Sequence, residues 1–444
     1  MPLIYIHGVN TRDTDDGYKS KLAARNELLR HHVLAPLAAK DARLRGMEIV
    51  NPYWGGDGVA FRWHLASLPE ANILEHLGAE VEATPQADLA LASTIDELAG
   101  EASLGRRGAA QGLENLGAED GPLAAAARQD LTRFVEAILL PLLVDEMQLD
   151  AGLDPEQEGL LQALLATAAY DAANSPAVQA EVAAATSDDE VMEVLKAAVQ
   201  SRFASLAEGR RQELTGAGAA GAAAGGAQLE ALGPGWFDGL TTRVGELFDR
   251  AKDAPGRVAT LPVADLVRAD LHRNISRFLG DVFVYLKERG DAAHPGPIVA
   301  TVLDAIRKAP SHRPDEPLIV VTHSMGGNIL YDILTCFAPE LKVDVWISAA
   351  AQVAQLEEMK LFLVSDKTIT APAKVNALKP RLGYWLNVYD PADPLAFLAA
   401  PVFADVDADV MYRTGASTFK AHGEYFGRAS FYQLMREHIA KALA

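Results

Sequence analysis

The hydrophobic and polar positions divide the chain into three stretches of different character. The first, residues 1–55, combines a short apolar run at 3–6, helical spacing of leucines over about 18–39 and a second short apolar run at 47–50. Short apolar runs joined by a helix are typical of buried parallel strands. The pattern therefore predicts a strand–helix–strand unit at this end of the chain.

The middle stretch, residues 56–290, is rich in Ala, Leu and Glu. Apolar residues recur there at the i, i+3 and i+4 spacing of amphipathic helices, most clearly over 123–149, 156–173, 191–206 and 263–287. We predict a large helical insertion.

The insertion contains one glycine pattern that resembles a dinucleotide-binding loop. Gly216, Gly218 and Gly221 have the G-x-G-x-x-G spacing, but the residues before them are helical in pattern and no strand precedes them. We interpret the Ala/Gly segment around them as a tightly packed or flexible stretch and a candidate hinge.

The last stretch, residues 291–444, returns to alternating strands and helices. The predicted strands are 318–321, 343–347, 384–389 and 410–413, and the predicted helices are 298–308, 325–337 and 424–443. Such alternation implies a parallel sheet with helices on both faces. We expect an α/β fold in which 1–55 and 291–444 complete one mostly parallel sheet of about six strands.

Composition narrows the classes of partner. The 444 residues are 49% hydrophobic and carry 40 Lys and Arg against 60 Asp and Glu, a formal net charge of −20. This negative charge disfavours binding to nucleic acids and to anionic membrane surfaces. The single cysteine, Cys336, excludes an internal disulfide framework. Without a basic leader or an apolar run of roughly 18–20 residues, we expect a cytoplasmic protein with no stable membrane insertion.

The most informative motif joins the strand at 318–321 to the following helix. Its sequence H-S-M-G-G at 323–327 places Ser324 in a turn of small residues, the setting of a G-x-S-x-G nucleophile elbow, with Thr322 in place of the first glycine. On these residues the chain resembles the α/β-hydrolase superfamily, especially its lipases and esterases. The resemblance covers the two α/β stretches and implies an α/β-hydrolase core with Ser324 as the nucleophile, while the insertion would be a cap or lid.

The resemblance also implies a base and an acid, because the superfamily places them after the nucleophile in the order Asp or Glu, then His. Of the later histidines, we favour His422, in a loop before the final helix, over His438 within that helix. Asp390 and Asp393 both follow a predicted strand. Asp393, in the run D-P-L, fits the superfamily pattern better, but both aspartates stay open.

Further site residues follow from the same resemblance. The backbone N–H groups of Met325 and of Val9, in the H-G-x loop after the first strand, are the expected oxyanion donors. Trp54, beyond the second strand, and His323, next to the nucleophile, are candidate substrate-binding residues.

No metal or organic cofactor is expected. The acidic run 13–17 has its glycine one position too early for a calcium loop, and His31 and His32 are adjacent, so they cannot form an i, i+4 metal pair.

We therefore hypothesise a serine carboxylic-ester hydrolase that acts on lipid or simple esters. The alternatives are thioesterase or acyltransferase chemistry with the same residues, or a hydrolase effector switched by a ligand or protein at the insertion. The insertion is also a candidate surface for a protein partner or a second copy of the chain.

Overall fold

The structure, a computed structural model, describes residues 2–15, 17–67, 94–95, 98, 121–144, 154–216, 234–252, 266–309, 315–379, 381–416 and 421–444. Residues 217–226 of the Ala/Gly segment, which we predicted as a hinge, lie outside these ranges.

The strands of the described chain are β1 Leu3–Ile6, β2 Ile49–Val50, β3 Gly290–Asp291, β4 His294–Pro295, β5 Ile319–His323, β6 Val343–Ala349, β7 Leu382–Tyr389 and β8 Ala408–Met411. Six of them form one sheet in the order β2-β1-β5-β6-β7-β8, with every neighbouring pair parallel. The predicted α/β class with a parallel sheet of six strands is confirmed. Strands β3 and β4 form a separate antiparallel pair.

The helices of the described chain are α1 Tyr18–Leu28, α2 Ala35–Ala38, α3 Pro122–Gln129, α4 Leu131–Val144, α5 Pro155–Ala173, α6 Pro176–Ala184, α7 Asp188–Gly216, α8 Pro234–Lys252, α9 Leu266–Glu288, α10 Pro297–Lys308, α11 Met325–Asp332, α12 Val353–Glu358 and α13 Ala429–Leu443. A π-helical turn, Leu29–Leu34, joins α1 to α2, and a second, Ile333–Phe337, extends α11. The final helix begins later than predicted, because a 3₁₀ turn at Tyr425–Gly427 precedes it.

Alternate residues of each strand face opposite sides of the sheet. Along β1, Leu3 and Tyr5 belong to one hydrophobic cluster, whereas Ile4 and Ile6 belong to another. The first cluster contains residues of α1 and α13, and the second contains residues of α10 and α11. The sheet is therefore covered by helices on both sides.

The insertion packs against the helices of the first of these layers, α1 and α13. Buried residues of α3 to α8 fall in the same hydrophobic cluster as sheet residues such as Tyr5, Val321 and Ile347, and α5 packs against α1. The insertion and the sheet thus share one core. None of the helices within the described ranges is both long and apolar enough to span a bilayer.

The strand order indicates where a ligand crevice is expected. The chain runs from β1 outward to β2 and then returns to the other side of β1 to form β5. In open α/β sheets, ligands bind beyond the carboxyl ends of the strands where the strand order reverses in this way. The loops that follow β1 and β5 meet there.

Candidate active site

Ser324 lies in a strained turn between β5 and α11. Its backbone has φ 53° and ψ −126°, a region that costs a residue with a side chain about 1–3 kcal/mol. The Ser324 N–H donates to the Ala349 carbonyl at 2.9 Å, which ties the turn to β6. A Cβ at Gly326 would lie 2.3 Å from the Ile6 carbonyl oxygen, so only glycine lets the helix start this close to β1.

Thr322 stands where the elbow pattern has its first glycine. Its side chain is fully buried, and its hydroxyl accepts a hydrogen bond from Trp346 Nε1 at 2.9 Å. The threonine therefore packs into the sheet and leaves the turn free. The backbone instead comes closest to Ser324 at Gly8, where a Cβ would lie 2.6 Å from Ser324 Cβ.

Ser324, His422 and Asp393 form a chain of hydrogen bonds. The distance from Ser324 Oγ to His422 Nε2 is 2.9 Å, and His422 Nδ1 lies 2.9 Å from Asp393 Oδ2 and 3.2 Å from Oδ1. An ionised carboxylate only accepts, so Nδ1 carries the hydrogen. In the neutral ring Nε2 is then an acceptor, which makes the serine hydroxyl the donor. This arrangement can remove a proton from the hydroxyl as its oxygen attacks an electrophile.

The two other candidates from the sequence have different partners. The Asp390 carboxylate accepts hydrogen bonds from the Thr414 N–H and hydroxyl, at 2.8 and 2.7 Å, and from the Ala392 N–H at 2.8 Å. His438, on α13, is hydrogen-bonded to the Tyr384 hydroxyl at 2.8 Å. Neither side chain is hydrogen-bonded to Ser324.

The Asp393 carboxylate is buried and held in place. Its Oδ1 accepts from the Leu395 N–H at 2.9 Å, and its Oδ2 accepts from the Tyr425 hydroxyl at 3.4 Å. The same hydroxyl accepts from the Asp390 N–H at 2.7 Å, which fixes its orientation. Burial, with the charges of Asp393 and Asp390, raises the pKa of Tyr425, so the hydroxyl stays a donor. Tyr425 was not identified from the sequence.

His323 is hydrogen-bonded to the backbone of His422. Its Nε2 lies 2.6 Å from the His422 carbonyl oxygen, so Nε2–H is the donor. Burial, followed by the charge of His422, lowers the pKa of His323 to about 3, and the ring is neutral near pH 7. His323, which we predicted to bind substrate, therefore fixes the loop that carries His422. It does line the cavity described below.

The two expected oxyanion donors, the N–H groups of Met325 and Val9, belong to the segments that lie next to Ser324. Met325 is the first residue of α11, and the N–H groups of a helix's first turn have no partner within the helix. Val9 follows Gly8, which packs against Ser324. The next residue, Asn10, donates its N–H to the buried Asp281 of α9 at 2.9 Å.

His7 and Trp54 brace this loop from the inside. The indole stacks on the His7 ring with centroids 4.7 Å apart, its Nε1–H donates to the His7 carbonyl at 2.9 Å, and the Trp54 N–H donates to His7 Nε2 at 3.1 Å. His7 Nδ1–H then donates to the Gly8 carbonyl at 2.8 Å. Trp54 is fully buried and is not among the residues that line the cavity, so the structure places it behind the loop.

A cavity of about 690 Å³ opens beside these residues. Val9, His323 and His422 line it together with residues of α1 and α9. Ser324 itself has no exposed surface. In the part of the chain that the structure describes, no group of three or more His, Cys, Asp or Glu residues could hold a metal ion.

Comparisons of the chain with protein-family models, with curated proteins and with solved structures give no match.

Proposed function

We propose that the protein is a serine hydrolase that cleaves carboxylic esters. The observation that carries the proposal is the hydrogen-bonded chain from Ser324 Oγ through both nitrogens of His422 to Asp393. We infer esters as the substrate class from the resemblance of the turn at Ser324 to the elbows of lipases and esterases.

In the first half of the reaction, Ser324 Oγ attacks the acyl carbonyl while His422 Nε2 takes its proton. Asp393 holds the ring in the tautomer that can accept this proton and stabilises the imidazolium. The N–H groups of Met325 and Val9 hold the oxyanion, a contribution typically worth about 10²–10³ in rate for each donor. His422 then returns the proton to the leaving alcohol as the C–O bond breaks.

In the second half, a water molecule attacks the acyl-enzyme. His422 accepts a proton from this water, and a second tetrahedral intermediate forms in the same oxyanion site. Its collapse breaks the bond to Ser324 Oγ, which regains the proton from His422. The acid is released, and no metal or organic cofactor takes part in this scheme.

Labelling by a fluorophosphonate tests the proposal. The wild-type protein is expected to react covalently at Ser324 and to hydrolyse p-nitrophenyl esters, and Ser324→Ala to lose labelling and about 10⁶ in kcat. Ser187→Ala is the matched control, since Ser187 lies in the insertion, where its hydroxyl accepts a hydrogen bond from the Glu190 N–H at 3.2 Å. Equal labelling of wild type and Ser324→Ala would contradict the proposal.

A further inference from the structure

One wall of the cavity is formed by one face of α1. Tyr18, Lys21, Arg25 and Leu28 of this helix all line the cavity, and their spacing of three or four residues puts them on one side of the helix. Two of the four carry a positive charge. The neutral ester group of the proposed reaction needs no positive charge, so the presence of two positive side chains in the wall requires another explanation.

Arg25 is held rigidly in this wall. Its guanidinium carbon lies 3.6 Å from the centroid of the Tyr5 ring, and Nη2 donates to Asn51 Oδ1 at 3.0 Å. Asn51 is in turn held by its Nδ2, which donates to Asn26 Oδ1 at 3.2 Å. A guanidinium that is stacked and anchored in this way loses little further freedom when it binds a ligand.

The charge of Arg25 has no counter-charge within the described ranges. Arg25 forms no ion pair there, and its Nε is buried without a hydrogen-bond partner. The other arginine that lines the cavity, Arg12, is paired with Asp281 at 2.7 Å. A half-buried guanidinium with unused donors is the group that binds carboxylates and phosphates most strongly.

The other charged groups of the wall do not neutralise Arg25. Asp15 lies 3.5 Å from Arg277. Burial raises the pKa of Glu158, and the charge of Lys21 offsets part of this rise, so Lys21 acts on Glu158. Glu424 also lines the cavity and has contacts of its own, and no ion pair among the described residues joins it to Arg25.

A row of aromatic contacts leads from Arg25 to the reacting groups. The Tyr5 ring under the guanidinium lies 5.0 Å from Phe426, and Phe426 lies 5.6 Å from His323, measured between ring centroids. Arg25 is close enough to these groups that its charge, after burial and the charge of His422, contributes to the lowered pKa of His323. An apolar chain can lie along the rings between the two ends.

We propose that Arg25 binds a terminal anionic group, carboxylate or phosphate, of an ester whose carbonyl reacts at Ser324. An apolar chain joins the two groups and contacts Tyr5 and Phe426. This inference rests on the proposed function and adds a substrate class to it: esters with an anion at the far end of the acyl chain.

Matched p-nitrophenyl esters test the proposal. One ester carries an eight-carbon acyl chain that ends in a carboxylate, a second ends in a phosphonate, and a third ends in a neutral methylamide. For wild type, at least one anionic ester is expected to have kcat/KM tenfold or more above the neutral ester, mainly through KM. Added salt is expected to reduce this ratio. The two anionic esters distinguish carboxylate from phosphate recognition.

Arg25→Met is expected to bring the ratio of anionic to neutral kcat/KM close to one, and Arg25→Lys to retain part of it. Arg30→Met is the matched control, because Arg30 lies on the same stretch of helix with 60% of its side chain exposed, and it should keep the wild-type ratio. A wild-type ratio near one for acyl chains of six to twelve carbons would overturn the inference, as would a ratio that Arg25→Met leaves unchanged.

A binding measurement separates this inference from the proposed function. The eight-carbon dicarboxylic acid monoamide carries the anion but no ester, so calorimetry can follow its binding to wild type and Arg25→Met without catalysis. Binding to wild type that Arg25→Met weakens tenfold supports the inference even if no ester is hydrolysed. Hydrolysis of the neutral ester without any binding of the monoamide overturns the inference and leaves the proposed function standing.

Discussion

Asp390 and Asp393 are three residues apart in one turn but use their carboxylates differently. Asp390 ties this turn to the end of β8 through Thr414. Asp393 turns toward His422 and meets Nδ1 at 2.9 Å. The D-P motif occurs at both positions, so local sequence does not separate the two roles. The neighbouring elements decide which carboxylate reaches the imidazole.

The two aspartates are expected to respond differently to the same substitution. In Asp393→Asn the amide can donate to Nδ1 and favour the wrong tautomer, which should lower kcat for p-nitrophenyl esters by about 10⁴. Asp390→Asn should keep kcat within tenfold and lower the free energy of unfolding by about 1–3 kcal/mol, because a buried hydrogen-bonded group is disturbed. Steady-state kinetics and urea denaturation of both variants measure these effects. The reverse pattern would assign the role of the acid to Asp390.

The sequence could predict which residues follow parallel strands, and therefore which side chains collect at one edge of the sheet. That reasoning places Ser324 after β5 and Asp393 after β7. It could not predict the contacts of Trp54, which depend on how the chain packs behind His7. Nor could it predict the surroundings of Asp405, which is buried and accepts hydrogen bonds from the backbone N–H groups of residues 377–379.

At the scale of elements, helix α9 links the insertion to the loop after β1. Its buried Asp281 receives two hydrogen bonds from Arg12, at 2.7 and 3.1 Å, and one each from the N–H groups of Asn10 and Val59. Asn10 directly follows Val9. The position of the proposed oxyanion donor therefore depends on a helix about 270 residues further along the chain.

Asp281→Asn is expected to loosen this loop. It leaves the Arg12 guanidinium unpaired and should lower the free energy of unfolding by about 3–5 kcal/mol. A displaced Val9 N–H should also lower kcat by about 10²-fold in the molecules that remain folded. Arg277→Gln on the same helix removes only a partly exposed ion pair and should cost at most about 1 kcal/mol. An unchanged kcat per folded molecule would show that α9 does not position the loop.

Elements were easier to predict than their contacts. The apolar spacing gave α5 and α9 close to their observed bounds. The predicted stretch 123–149 is instead divided into α3 and α4, and α7 extends beyond 191–206 at both ends. The same stripes could not show that α5 packs on α1 and α13, because an apolar stripe has the same period whichever element it packs against. The pairing of α9 with the loop after β1 depends on charges far apart in the chain.

At the scale of the whole molecule, buried histidines link folding to pH. Burial is the largest cause of a lowered pKa in His7, to about 4, and in His32 and His323, to about 3 each. At a pH between these folded pKa values and the unfolded pKa near 6.5, the unfolded chain binds more protons than the folded chain. The stability that the neutral rings provide is thus complete above pH 6.5 and is lost as the pH falls.

Each of these histidines is expected to contribute up to about 1.4 kcal/mol per pH unit to this loss. The carboxyls of Glu136 and Asp332, whose pKa is raised by burial, titrate in the opposite sense. The change in the free energy of unfolding with pH is therefore best compared between wild type and His32→Gln, by urea denaturation at pH 7.5, 6.0 and 5.0. His32→Gln should lose less stability on acidification than wild type. Equal slopes would mean that His32 is not held neutral in the fold.

The shared core of sheet and insertion has a consequence for how the chain can be divided. A block of helices joined to a sheet only by linkers can be cut away as a separate piece. Here α5 contacts both α1 and α13, and these two helices share one hydrophobic cluster with the sheet. A chain cut back to its two α/β stretches would expose apolar residues of α1 and α13 to water, so sheet and insertion are best produced as one piece.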